Sequence, residues 1–307
     1  MIGPTRIGEV ASPEFRERET LQRPAQSYWS ESWERLRANR VGMFCGAFIL
    51  VLALIAIAAP LIARYATHTG YSDQDLAGLF QPPGRTHWLG TDELGRDTLT
   101  RLVYGARVSL TVGFLTVALS LVVGGSVGLA SGYYGGVIDN LLMRLVDTLL
   151  SIPSIFLFIL VSVLLRPNAV TLSFIIALVA WGNVGRLIRA EVLSIRTREF
   201  MIATRSVGAG DVRLMLRHLL PNALPVMIVA ASLAVGQIIL VEAALSYLGL
   251  GIQPPTPSWG NMLSNAQQYF YHSPWLVAFP GVCIFVTVLC TNMFGNAVRD
   301  SFDPRLR

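Results

Sequence analysis

Residues 198–225 read REFMIATRSVGAGDVRLMLRHLLPNALP, and this stretch lies between two long apolar runs. Two short amphipathic segments meet at Gly208-Ala209-Gly210, and Pro221 and Pro225 close the second. In that second segment Val212, Met215, Leu216, Leu219 and Leu220 recur at helical spacing, Arg213, Arg217 and His218 fill the remaining arc, and Asp211 is the predicted N-cap. Upstream, Phe200, Ala203, Thr204 and Val207 form a shorter stripe. Glycine at 208 and 210 permits positive φ, so the two predicted helices can turn sharply. Pro221 and Pro225 mark the return of the chain into its apolar surroundings.

Composition says what those surroundings are. Over 307 residues, 53% hydrophobic content with only 14% charged residues is too apolar for an ordinary soluble protein, and reads as a membrane protein. Crossing a bilayer takes about 20 apolar residues in a helix. Six runs meet that need: Val41 to Ala63; a second within Val108 to Ile138, ending near Ala130; Thr148 to Leu165, starting near Val146; Val170 to Leu187; Asn222 to Leu245; and Trp275 to Val298. The predicted fold is therefore an all-α membrane protein with six transmembrane helices.

All 24 basic residues are arginine, and their placement orients the spans. Seven lie in the first 40 residues, seven between Arg186 and Arg217, and three in the tail NAVRDSFDPRLR, while Tyr247 to Pro274 has none. Arginine-rich short loops stay cytoplasmic, which puts both termini and the 186–221 loop inside. Residues 64–107, whose five arginines are offset by Asp73, Asp75, Asp92, Glu93 and Asp97, then lie outside. The predicted organisation is a cytoplasmic tail with an interfacial helix (1–40), a first span (41–63), an extracytoplasmic segment (64–107), a five-helix core (108–298) containing the loop 190–221, and a cytoplasmic tail (299–307). Residues 1–26, rich in Pro, Glu and Arg, lack the apolar run of a cleaved leader, so the first span is expected to be an uncleaved anchor. Trp29, Trp33 and Leu36 recur at helical spacing, which fits an interfacial helix as well as a loosely ordered tail.

The absence of lysine removes a phosphate-loop lysine and Schiff-base chemistry from this chain. Any ATP it uses must be bound by another subunit. Cys45, Cys283 and Cys290 fall in apolar runs without metal-ligand spacing and read as small buried hydrophobes. No HExxH, no G-x-S-x-G and no clustered set among the four histidines suggests a metal or a catalytic centre.

The hinged loop, tethered at both ends to the bilayer, does not suit reading nucleic acid. It suits either passive association with the membrane surface or docking to a cytoplasmic partner. Ala203, Gly208, Leu220 and Pro221 resemble the EAA loop of ATP-binding-cassette (ABC) importer permeases, with Ile202 where the name-giving Glu stands and Thr204 replacing the second Ala. HWLGTDELGRDTLTRLVYGARVSL, SGYYGGVIDNLLMRLVD, ALSYLGLGIQPPTPSWGNML and the terminal RDSFDPRLR are similar, in consistent order, to the C-type permease of the dipeptide, oligopeptide and nickel family.

That resemblance implies the type I importer permease fold, with the loop as a coupling helix seated in a cleft of a separate ATPase. The residues carried over to coupling are Glu199, Ala203, Thr204, Gly208, Ala209, Asp211, Arg213, Arg217 and Pro221. Implied partners are a second homologous permease, two ATP-binding subunits that hold ATP and Mg, an extracytoplasmic solute-binding protein and the lipid bilayer, with no nucleic acid and no cofactor on this chain. The localisation implied is a bacterial or archaeal cytoplasmic membrane. Di- and oligopeptides are the leading substrates, with nickel, glutathione-like peptides and oligosaccharides also within the family's range.

Glu242 is the only acidic residue of the fifth span. A carboxylate inside a membrane suggests a translocation lining or proton site, or else a side chain reaching the outer interface or paired with a neighbouring span. With Trp259 it is a candidate for the translocation path or gate. Spacing favours an Arg144–Asp147 pair beside the third span. LGTDELGRD lacks calcium-loop positions and reads as a capped turn leading into an amphipathic helix. GLGIQPPTPSWGNML, with Tyr269, Tyr271 and Trp275, reads as an outer loop with an aromatic belt, to which the resemblance adds a gate or binding-protein contact. Pro153 and Pro280 are candidate kinks. An ion-coupled secondary transporter is the competing reading; it would need midplane carboxylates, and only Glu242 offers one.

Overall fold

The computed structural model describes residues 28–165, 167–271 and 273–303, so the expectations for 1–26 and for the last four residues lie outside the described residues. Helix α1 (Tyr28–Ala38) carries a Glu31–Arg35 pair at 2.9 Å and leaves Trp29 and Trp33 about half exposed, as an interfacial helix requires. Asn39 caps α2 (Arg40–Ile57) by accepting from the Gly42 amide at 2.9 Å. Pro60 then forces a restart at Ala59–Ile62, followed by a π-turn at Ala63–Thr67.

The amphipathic helix and second span expected from the sequence are one element, α3 (Thr98–Tyr134, 37 residues). Asp97 caps it through the Thr100 amide at 2.7 Å. At a rise of about 1.5 Å per residue it is roughly 55 Å long, well beyond the apolar thickness of a bilayer.

The third span departs most from expectation. It is two helices, α4 (Gly136–Ser151) and α5 (Ser154–Leu165), bent 79° from one another. Pro153 has no amide hydrogen, and Ile152 before it takes an extended backbone, so the ladder of hydrogen bonds ends there. Helix α6 (Ala169–Ile195) is capped by Asn168, which accepts from Thr171 at 2.9 Å. The loop contributes α7 (Glu199–Ser206) and the single turn α8 (Asp211–Leu214); α9 (Leu220–Tyr247) and α10 (Trp275–Phe302) complete the bundle. Five helices are long and apolar enough to span a membrane, and the bent pair α4–α5 makes the sixth crossing if it counts as one. No named strand occurs among the described residues.

Helices in lipid associate through close packing, because lipid chains are as apolar as leucine. Helix α3 lies close on α6. A Cβ at Gly124 would sit 2.5 Å from the Trp181 carbonyl, and one at Gly128 would sit 2.5 Å from the Gly185 carbonyl, so only glycine allows this contact. One apolar cluster, including Leu110, Leu172, Ile239 and Trp259, fills the half remote from the loop. A second, including Leu129, Ile188, Val192, Leu214 and Leu219, fills the end beside the loop. α1 packs against the end of α10 through Trp29 on Phe302, with ring centroids 5.5 Å apart.

Candidate functional site

The loop is held against the bundle by a few residues and otherwise open. Met201, Leu214 and Leu219 are buried against Leu129, Ile188 and Val192, while Ile202, Val207, Val212 and Leu216 stand exposed. The stripe expected from spacing packs only in part: Leu219 is buried, and Met215 and Leu220 lie half-buried against the same cluster. Its Val212 and Leu216 point away from the bundle and Leu214, outside the stripe, is fully buried. The reason is local: residues Met215–Leu219 form a π-turn, which shifts the angular register of everything before it. The same turn removes the expected stop at Pro221. The helix runs on through Pro221 and Pro225, and Asn222 Nδ2 donates to the His218 carbonyl at 2.7 Å, occupying one of the acceptors in the distorted turn.

Gly208 has φ +85°, and nothing lies within 4 Å of the point where a Cβ would stand, so the turn between α7 and α8 is free of the bundle. Asp211 is not the cap; Gly210 is, and Asp211 opens the helix. Its carboxylate accepts from the Tyr133 hydroxyl at 2.6 Å. Arg205 donates to the same hydroxyl at 3.0 Å and lies 5.3 Å over the Tyr133 ring. That bond raises the Arg205 pKa further above its ordinary value, so its charge is permanent at working pH. Arg196 donates to the Gly132 and Tyr133 carbonyls at 2.9 and 3.3 Å, closing the end of α3. Together Tyr133, Arg196, Arg205 and Asp211 line a cleft of about 630 Å³ between loop and bundle. Of the sequence-predicted coupling residues, Glu199, Ala203, Gly208, Arg213, Arg217 and Pro221 are exposed, Thr204 and Ala209 partly so.

One layer deeper, Asp139 accepts from Nε and Nη2 of Arg189, at 2.6 Å each, and from the Ser131 hydroxyl, so α3, α4 and α6 are clasped by one carboxylate. Asp147 pairs with Arg186 at 2.5 Å rather than with Arg144. The partner across the α4–α6 contact is preferred to the local one, because side chains on packed helices meet more closely than spacing alone indicates.

The end remote from the loop is built the other way. Glu242 is fully buried and accepts from Ser109 Oγ of α3 at 2.7 Å, from Ser246 Oγ at 2.8 Å, and from Ser258 of the loop after α9. Ser246 Oγ also accepts from the Ile252 amide at 3.0 Å, and Asn261 bridges the Ile252 and Thr256 carbonyls. Trp259 is fully buried and donates to the Leu102 carbonyl at 3.0 Å. Neither Glu242 nor Trp259 reaches a surface of the subunit; both fasten the loop after α9, or α9 itself, to α3. The turn LGTDELGRD is capped as expected. Asp92 accepts from Arg96 and Arg101, and Asp97 from Thr100 and His87 at 2.7 and 2.9 Å, so neither carboxylate is available as a metal ligand. Among the described residues no cluster of potential metal ligands occurs. Tyr269 stacks on Phe80 at 5.2 Å, and burial pushes its phenol pKa up, whereas Tyr271 stands exposed.

An all-helical bundle with one rigidly finished end and an open, hinged loop at the other is a membrane transport subunit that works with other chains. Residues 98–307 match the family described as binding-protein-dependent transport system inner membrane component, and residues 27–83 match the N-terminal TM domain of oligopeptide transport permease C. The dipeptide transport system permease protein DppC of Alkalihalophilus pseudofirmus is 42% identical over 93% of each chain. The oligopeptide transport system permease protein OppC of Bacillus subtilis is 35% identical over 99% of this chain and 98% of its own. The glutathione transport system permease protein GsiD of Pectobacterium atrosepticum is 36% identical over 91% and 92%. A chain of the inward-facing MetNI methionine ABC transporter shares the fold, with a TM-score of 0.54 at 21% identity over 67% of this chain and 97% of that one. This chain belongs to the binding-protein-dependent transport permeases, in the dipeptide and oligopeptide C-type branch. It is a multi-pass inner-membrane permease subunit of an ABC importer and not an enzyme, and ATP hydrolysis resides on a separate subunit. The secondary-transporter reading falls with that assignment.

Proposed function

We propose that this permease forms half of the translocation pathway of a di- and oligopeptide importer, with a homologous second permease supplying the other half. Two ATP-binding subunits, carrying ATP and Mg, close beneath the loop, and an extracytoplasmic binding protein delivers peptide to the outer end. Both termini and the loop then face the cytoplasm, in keeping with the arginine distribution. The observation that carries the reading is the exposed face of the loop. Ile202, Val207, Val212 and Leu216 stand open beside Arg213 and Arg217, an apolar patch rimmed by charge of the kind a protein partner covers. Relatives named for dipeptide, oligopeptide and glutathione transport support a peptide substrate.

Coupling requires two global states with different contacts at the loop. Gly208→Glu puts a charged side chain at φ +85° on that face without touching the bundle. Co-purification of the tagged chain is expected to recover a second permease and an ATPase, and the variant to insert normally but lose peptide uptake. Normal uptake by the variant, or a stable assembly lacking an ATPase, would sink the proposal.

A further inference from the structure

Near the middle of their lengths, α3, α6 and α9 line a groove of about 210 Å³. Its walls are largely alanine and aliphatic, including Ala180, Ala231 and Ala234, and its three polar residues are Ser120, Asn183 and Gln237. The Ser120 side chain is buried and its hydroxyl has no hydrogen-bond partner. Asn183 and Gln237 are exposed, and neither amide forms a side-chain hydrogen bond among the described residues. Unsatisfied amides facing hydrocarbon are strongly penalised, so this face is not turned to lipid. A second observation agrees. Arg186, three residues from Asn183 on the same side of α6, pairs with Asp147 while the two side chains stay 47% and 64% exposed, and an ion pair that open also needs water or protein beside it.

The chemistry of the groove selects its occupant. A primary carboxamide carries two donors and an acceptor, and a hydroxyl carries both, which matches the N–H and C=O of a peptide bond. No carboxylate, imidazole or thiol lines the groove for a metal ion, and no aromatic ring for a sugar face. Small alanine walls leave room for varied side chains without selecting among them. Resting on the peptide-import reading above, we propose that Ser120, Asn183 and Gln237 form a mid-membrane site that hydrogen-bonds the backbone amides of the peptide in transit. Recognition at this site is of the main chain, so it tolerates sequence variation.

The test uses the complete importer in proteoliposomes with radiolabelled trialanine. A photoreactive side chain placed at Ala234, on the groove wall, is expected to label the peptide in an ATP-dependent way, and one at Leu160, exposed on α5, is not. The double variant Asn183→Leu with Gln237→Leu is expected to lose uptake about tenfold or more, as two missing hydrogen bonds would require, with both partner subunits still co-purifying. Trialanine imported without label at Ala234, label on the second permease alone, or loss of that permease from the double variant would each overturn the site and leave peptide import standing. A wild-type assembly that imports no peptide, measured by uptake independently of any label, would overturn both.

Discussion

The two ends of this subunit solve opposite problems. At the end remote from the coupling loop Glu242 has its hydroxyl donors, Trp259 its carbonyl, and the loop after α9 its amide clamps, all from within the chain. At the other end Tyr133, Asp211 and Arg205 hold the loop by one hydroxyl, and Val207, Val212 and Leu216 remain open. Where a chain satisfies its own buried polar groups it keeps one shape. Where it leaves apolar surface uncovered, another chain completes it, and shape becomes conditional on that partner.

That contrast orders the expected effects on the folded subunit. Glu242→Ala leaves serine hydroxyls unpaired around a cavity and is expected to cost about 2–4 kcal/mol, read as a lower thermal midpoint of the purified complex. Unchanged stability with lost uptake would make the carboxylate a transport residue instead and would break the contrast. Asp139→Ala, which frees Arg189 beneath the loop, is expected to cost about 1–3 kcal/mol, discounted because the Arg189 side chain is one-third exposed. Its effect should fall on the α3–α4–α6 clasp, seen as faster proteolysis near residue 136. Tyr133→Phe removes only the bridging hydroxyl and should cost about 1 kcal/mol or less. Its signature is functional: more ATP hydrolysed per peptide imported, with subunit level unchanged.

Much of this arrangement is legible in the amino-acid order. The apolar runs place the spans, Gly208 announces the turn, and Asn168 and Asp97 are caps of the ordinary kind. The break at Pro153 is visible, but its 79° angle is not, because a missing hydrogen bond permits a bend without setting its size. Gly124, Gly128 and Gly132 carry a close-packing signal for α3 on α6 that periodicity of apolar residues does not register. The serine partners of Glu242 cannot be read, since Ser109, Ser246 and Ser258 sit in unrelated stretches and serine has no strong preference that would mark them. The loop's packed face keeps Met215, Leu219 and Leu220 as spacing indicates but takes Leu214 in place of Val212, because the π-turn at Met215–Leu219 shifts the register in a way a rule of 3.6 residues per turn cannot anticipate.

The run from Asp211 to Tyr247 is a single 37-residue rod, unbroken at Pro221. One tip carries the open face of the loop, and the serine-clasped carboxylate of Glu242 lies near the other. A rod of this kind behaves as a see-saw. Any tilt about a point inside the membrane displaces its two tips in opposite directions, so the Glu242 clasp must travel with α9 or be strained whenever the loop tip is moved. The geometry of one helix thereby ties the two ends of the subunit to a single mechanical variable.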